Sequence, residues 1–390
     1  MLKVFLIDKI IVNIKYLNIW EEIGSIRSIW TNPNMLQNSS YFLSWGWIEN
    51  WITSLPKDVS LQLAVILEGD DQLATFFVGK SQVDKKRIFK SRGLFLNTTG
   101  ITEYDDTLWI EYNSIFLKNS VNLSIDDIVS TVADDWDELF LPALDGNVFP
   151  GDSLKQYEGN HYKVLIEKEI PSYYVDLSLV RKKDGDYTSI LSANTRMQIK
   201  QSYRGYNSKG KIAVEIARSI ERAIEIWDEM KQLHYDTWEK RGNKSNFITK
   251  YSEEFHKNLI RKRYAQGEIQ LLRVTCGEKV IGCLYNFVYK GHVFFYQSGL
   301  NYETDKHLRP GFICHAEAIK INAMLNHSTY DFLGGLERYK ASLATNKREL
   351  IWARVQKNHL KFQIENKLKD LCKPWLKRLS KISSNNYLPR

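Results

Sequence analysis

Cysteine is scarce: Cys276, Cys283, Cys314 and Cys372 are the four thiols among 390 residues. So few and so scattered, they exclude a disulfide scaffold and a zinc knot, and they fit a reducing compartment. Eight prolines and 21 glycines exclude collagen-like and Pro-rich linker architectures. Nowhere do about 18 apolar residues run together, so no membrane-spanning helix is expected. Lys3, Asp8 and Lys9 interrupt the apolar N-terminus, which excludes a secretory leader and makes the cytoplasm the expected location. The cysteines and eight histidines show no ligand spacing, so no metal is expected. The acidic pairs Asp70-Asp71, Asp105-Asp106, Asp126-Asp127 and Asp134-Asp135 lack the pattern of a calcium loop. A glycine-rich phosphate loop of the nucleotide-hydrolase type is absent.

What is present is a globular composition, 43% hydrophobic and 13% aromatic, long enough for two cores. The net charge of +8 is concentrated at one end: residues 347–390 carry a surplus of nine positive charges, which leaves the preceding body near neutral. A basic tail of this kind does not make the body a nucleic-acid binder.

Two β-rich runs, 61–77 and 269–285, are each hinged at a glycine, Gly69 and Gly277, at a fixed offset of 208 residues. An aromatic strand follows each, at 93–98 and 292–298, and then a helical stretch and a last strand, at 138–142 and 330–334. The economical reading is a duplicated α+β unit with a boundary at 148–162. Ile220, Ile224, Trp227, Met230, His234 and Trp238 recur at helical steps, and Arg196, Lys200 and Arg204 make a basic stripe on a helix capped by Ser192 or Asn194. Pro310-Gly311 opens a third helix. The tail, 355–390, alternates apolar and lysine positions at steps of three and four from Leu360 on, a basic amphipathic helix interrupted or kinked at Pro374. It suits docking on its own domain, or failing that an anionic membrane surface.

The most specific string is Asp331-Phe332-Leu333-Gly334-Gly335-Leu336-Glu337-Arg338-Tyr339-Lys340. A strand ends, two glycines free the backbone, and a lysine follows as a mobile point charge for phosphate or carboxylate. On its own, the string fits a plain strand-to-loop connection with a surface lysine equally well. Asp331, Phe332, Leu333, Gly335, Tyr339 and Lys340 resemble the D-F-L-x-G-x-x-x-Y-K pattern of GNAT-superfamily N-acetyltransferases of the CelD/BcsL type. The polar-capped basic helix from Leu191, the His234-x-x-x-Trp238-x-x-Arg241-Gly242 stretch, the Arg309-Pro310-Gly311 turn and the Trp-rich opening at 44–51 extend the resemblance. Fem-type aminoacyltransferases are more distantly similar.

The resemblance implies an α+β chain of two tandem GNAT-like domains, each a mixed central sheet flanked by helices. Residues 1–150 would form a catalytically silent N-terminal domain, 160–350 the acyltransferase domain, and 355–390 the basic helical tail. It implies acetyl- or another acyl-coenzyme A as co-substrate, no metal, and an amine acceptor such as an amino sugar or polysaccharide precursor. The pyrophosphate would meet the helix start at Arg309, Gly311 and Phe312, although that turn departs from the superfamily's glycine-rich loop. Gln297 and Ser298 would lie beside the pantetheine arm. Asp331, Tyr339 and Lys340 are the catalytic candidates; His234, Trp238, Arg241, Tyr296 and Gly335 are the acceptor-side candidates. For proton transfer Asp331, Glu337 and His234 stay open as acceptors, with Tyr339 as donor to the thiolate. Two alternatives remain at this stage: aminoacyl transfer from charged tRNA, the one case in which nucleic acid would be a partner, and a non-catalytic binding module.

Overall fold

Leu61, Leu63 and Val65 join one buried cluster while Ala64 and Ile66 join another, so a strand whose residues 63–67 read as an apolar run is covered on both faces. This alternation organises the whole chain. In the computed structural model, described for residues 3–7, 10–36, 40–85, 89–118, 127–129, 132, 135–149, 151, 154, 158–159, 161–240, 247 and 249–367, the strands make one continuous sheet. They are β1 (Lys3–Ile7), β2 (Ile10–Asn18), β3 (Met35–Leu36), β4 (Leu61–Glu68), β5 (Asp71–Lys85), β6 (Phe89–Leu96), β7 (Phe116–Lys118) and β8 (Glu138–Asp145) in the first half. The second half supplies β9 (Glu158–Gly159), β10 (Tyr162–Asp176), β11 (Ile212–Ile216), β12 (Ile269–Cys276), β13 (Lys279–Tyr289), β14 (His292–Leu300), β15 (Thr329–Gly334) and β16 (Asn346–Lys357).

The order is β1-β2-β4-β5-β6-β8-β16-β10-β15-β14-β13-β12-β11, with short β3, β7 and β9 off this path. Outward from the centre the two sides match. Next to β16 stands antiparallel β8, then parallel β6, then antiparallel β5 and β4. Next to β10 stands antiparallel β15, then parallel β14, then antiparallel β13 and β12. The glycines of the repeat sit at matching hairpin turns with left-handed backbone, φ 58° at Gly69 and φ 57° at Gly277. This is an α+β fold of two matching halves in tandem.

The centre holds a feature that strand periodicity does not reveal. β10 follows the first half in sequence but lies beside β15 of the second, and β16 follows β15 but lies beside β8 of the first. The second half therefore sends β16 across to the first, and the two close on each other through the β10–β16 ladder. A buried clasp holds β16 in place: Glu138 accepts from Arg354 (2.8 Å), Gln356 (2.7 Å) and Ser91. On one sheet face the core is also shared, with Tyr41 stacked on Phe287 at 4.4 Å and Trp47 edge-on to Phe255 at 4.9 Å. Aromatic pairs of this kind are worth about 0.5–1.5 kcal/mol each beyond their buried area.

The three predicted helices form, at 193–207, 220–240 and 310–324. Ser192 accepts from the Thr195 amide and caps Ala193–Asn207. Ile220–Lys240 buries Trp227, Met230 and His234 of its stripe, and lies so close to β14 that a side chain at Gly299 would collide with the Met230 carbonyl. Pro310–Met324 starts with proline at its first position, where a missing N–H costs nothing. No helix among the described residues is long and apolar enough to cross a membrane. Residues 360–367 are helical. There the docked side chain is Phe362, edge-on to Phe89 at 5.8 Å, with Lys361 paired to Asp137 at 2.9 Å. Leu360 and Ile364, expected on the docking stripe, are 71% and 52% exposed instead. Residues 368–390, with Cys372, Pro374 and the rest of the tail, lie outside the described residues.

Candidate active site

β14 and β15 pair in parallel only from His292–Thr329 to Phe294–Asp331. Beyond that register they part, and the wedge between them is a cleft of about 660 Å³ lined by Phe295, Tyr296, Gln297, Ser298 and Leu300 on one side and Phe332 to Gly335 on the other. A local cause is visible in β15. Leu333 takes a left-handed conformation, φ 62°, which costs a non-glycine residue about 1–2 kcal/mol. The Asp331 carboxylate accepts the Leu333 amide at 2.7 Å and holds that kink.

Parting strands leave backbone groups without ladder partners, and such groups need others. Side chains around the cleft supply them. Gly334 N–H donates to Glu111 Oε2 at 2.6 Å, and Lys340 Nζ donates to Gly334 O at 2.7 Å. Ser298 O accepts from His234 Nδ1 at 3.1 Å, which puts a proton on Nδ1, and Ser298 N–H donates to Gln297 Oε1 at 2.9 Å. A Cβ at Gly335 would press on the Glu337 carboxylate and stand 2.7 Å from Lys340 Nζ, so a side chain there would have to displace both. The D-F-L-G-G…Y-K string thus has a physical reading: an acid to hold the kink, glycines to admit the lysine, and a lysine to meet the freed carbonyl.

His234, Trp238, Tyr296, Gln297, Ser298, Gly335, Glu337, Tyr339 and Lys340 all line this cleft. Lys340 is only 8% exposed, with Glu337 3.6 Å from its ammonium. Burial pushes the Tyr339 hydroxyl well up, so it stays protonated at neutral pH. Asp331 does not reach the cleft lining. It is fully buried, taking hydrogen bonds from Tyr112 (2.6 Å) and Ser172 (3.3 Å) with the Arg348 guanidinium 3.8 Å away. Burial raises its carboxyl above the usual range, against the pull of Arg348 and Tyr112. Arg309, Gly311 and Phe312 are likewise outside the lining. Arg309 donates to Gln198 at 2.6 Å. Gly311 adjoins the cleft through Leu300, whose methyl would lie 3.3 Å from a Cβ on it. Arg241 falls outside the described residues.

One residue escaped the sequence reading. Glu111, from the first half, lines the cleft beside Gly334 and Lys340. Burial pushes its carboxyl up to about 7, while the Gly334 N–H and Lys340 pull it down and Asp331 and Glu337 push it further up. No local pattern marks Glu111: it stands in an irregular segment, and 223 residues separate it from its hydrogen-bond partner.

A second cleft of about 520 Å³ opens in the first half, lined by Phe95, Thr98, Gly100, Thr102, Asp105, Asp106, Ile110, Phe140 and Pro142. Trp109, Glu111, Lys168 and Trp352 line both clefts and join them.

Residues 193–341 match the family described as the acetyltransferase (GNAT) domain. A conserved protein of unknown function from Bacteroides thetaiotaomicron is similar in fold, at 9% identity and a TM-score of 0.51 over 88% of this chain and 99% of that one. FemX aligns at 9% identity and TM-score 0.49 over 86% of this chain and 96% of its own. A tandem GNAT protein from the clavulanic acid biosynthesis pathway aligns at 9% and 0.45 over 89% and 98%. No curated protein matches the sequence. The match to the acetyltransferase (GNAT) domain thus falls on the stretch that holds the parted parallel strands and the cleft between them.

Proposed function

We propose that the protein is an N-acyltransferase of the CelD/BcsL type that moves an acetyl or other acyl group from acyl-coenzyme A to an amine on an amino sugar or polysaccharide precursor. Residues 160–350 carry the transfer, and 1–150 wall the cleft. The observation that carries this reading is Glu111, a half-buried carboxyl poised near neutrality at the mouth of the β14–β15 wedge. The wedge would take the pantetheine arm along Gln297 and Ser298. The helix start at Gly311, next to Leu300, would receive the pyrophosphate. Acyl-coenzyme A supplies an activated thioester. The amine nitrogen attacks its carbonyl carbon, a C–N bond forms, and the C–S bond breaks with the electron pair leaving on sulfur. Glu111 takes the proton that the amine must lose, and Tyr339 supplies one to the thiolate. Lys340 fixes Gly334 and, through it, the amide that orients Glu111.

Titration calorimetry with acetyl-coenzyme A and longer acyl versions tests the donor. Saturable binding is expected, with the pyrophosphate at the 311–314 amides in a ligand-bound structure; failure of every acyl-coenzyme A to bind folded protein refutes the reading. Aminoacyl transfer from charged tRNA would instead show strongly salt-dependent RNA binding and indifference to coenzyme A.

Lys340→Ala should lower kcat/KM for acyl transfer by about 100-fold, as expected when a positioning contact in an active site is lost. Its cost in stability should be about 1 kcal/mol, one hydrogen bond to a carbonyl. Turnover equal to wild type would remove Lys340 from the site.

A further inference from the structure

The two clefts occupy matching places in the sheet. β6 and β8 pair in parallel only from Gly93–Glu138 to Phe95–Phe140, as β14 and β15 do for three residue pairs, and the second cleft lies where they part. Its wedge is closed, however. Phe95 and Phe140 stack face to face across it at 4.5 Å and 3°, and Gly100, at φ 74°, lies so close over the Phe95 ring that a Cβ would collide with it. Beyond the rings Asn113 bridges the two strands, donating to Leu96 O and to Pro142 O at 3.0 Å each, so a thioester arm cannot enter between them. What remains is a bowl above the stacked rings.

The bowl has a chemical character of its own. Trp109 offers an indole that is 41% exposed, an unusual posture for the largest apolar side chain. Asp105, Asp106 and Glu111 supply three carboxyls against one ammonium, Lys168, which itself lies over the Trp352 ring at 4.3 Å. Asp105 is committed, since its oxygens accept from the Thr99 and Gly100 backbone amides and the Thr99 hydroxyl. Asp106 is exposed at the rim with Thr102. An aromatic face beside carboxylates suits a ring with one apolar face and a cationic amine. A volume of about 520 Å³ is within the range of small-molecule sites.

We propose that this cleft of the N-terminal half is the acceptor subsite, taking an amine-bearing saccharide ring against Trp109, with Asp106 drawing the ammonium in and Glu111 receiving it where the two clefts meet. The inference rests on the acyltransferase reading and adds to it: one half binds the donor, and the half whose wedge is bridged by Asn113 binds the acceptor. The silent domain is thereby a substrate-binding one.

The test is titration calorimetry of the full chain with fully deacetylated chitotetraose and its N-acetylated form, on wild type, Thr102→Trp and Asp106→Asn. Both positions line only the second cleft and are exposed, and circular dichroism confirms folding. The expected result is saturable binding of the amine form, stronger than that of the acetylated form. Affinity should fall at least 10-fold in Thr102→Trp and about 3- to 10-fold in Asp106→Asn, the span of a partly exposed charge contact. Acetyl-coenzyme A affinity should be the same in all three proteins. Equal saccharide affinity in wild type and both variants, or no saturable binding of either saccharide, overturns the assignment. If the saccharide binds as expected while no acyl-coenzyme A binds, the subsite stands and the donor reading alone fails.

Discussion

Glu111→Gln should bind acetyl-coenzyme A as wild type does and lose about 100- to 1,000-fold in kcat, the range that a positioned general base contributes. The substitution keeps an oxygen for the Gly334 N–H, so the geometry survives while the proton acceptor is gone. Wild-type kcat/KM should rise with pH through an apparent pKa of about 7, the value set by burial of the Glu111 carboxyl, and the variant should lack that limb. Stability gives an independent readout of opposite sign. The folded carboxyl is raised above its unfolded value, so the folded state holds its proton more tightly, and stability falls as pH climbs from about 4.5 to about 7. Glu111→Gln should therefore be more stable than wild type at pH 8 by about 1–2 kcal/mol, discounted for the water that reaches this half-buried group. The gain should vanish at pH 4. A variant with full activity and an unchanged pH profile would discard Glu111 as the base.

Asp331→Ala should cost about 3 kcal/mol of stability, the scale of breaking a buried charged network by removing one partner. Arg348 loses its carboxylate, Tyr112 and Ser172 lose an acceptor, and Leu333 loses the bond that holds its left-handed conformation. Activity should fall about 100-fold as well, because the kink that places Gly334 relaxes, and displacements near 1 Å have that effect. The distinguishing measurement is the pH profile. The limb near pH 7 should persist in Asp331→Ala, because Asp331 positions the site and touches no substrate, whereas it should disappear in Glu111→Gln. A urea midpoint equal to wild type would show that the network contributes nothing.

Elements with local causes are legible in the amino-acid sequence. The hairpins at Gly69 and Gly277, the stripe from Trp227 to His234, the cap at Ser192 and the proline-led helix at 310 each follow from turn chemistry or periodicity within a few residues. The cluster around Gly335, Tyr339 and Lys340 is legible for the same reason: a strand end, its glycines and its lysine are neighbours in sequence, and they line one wedge. Asp331 is legible as a special residue but not as a buried one, since its partners Tyr112, Ser172 and Arg348 come from three distant segments. The crossing of β16 to the first half is decided only in three dimensions, because pairing β16 with β8 satisfies backbone groups about 200 residues apart and leaves no trace in local pattern. The same crossing brings Trp352 on β16 opposite Lys168 on β10 at the seam between the clefts, where Trp109 and Glu111 of the first half meet them. Periodicity reports which face of an element is buried; it is silent on which distant element covers that face. The carboxyl at the seam therefore becomes a candidate base only once the two halves have closed on each other.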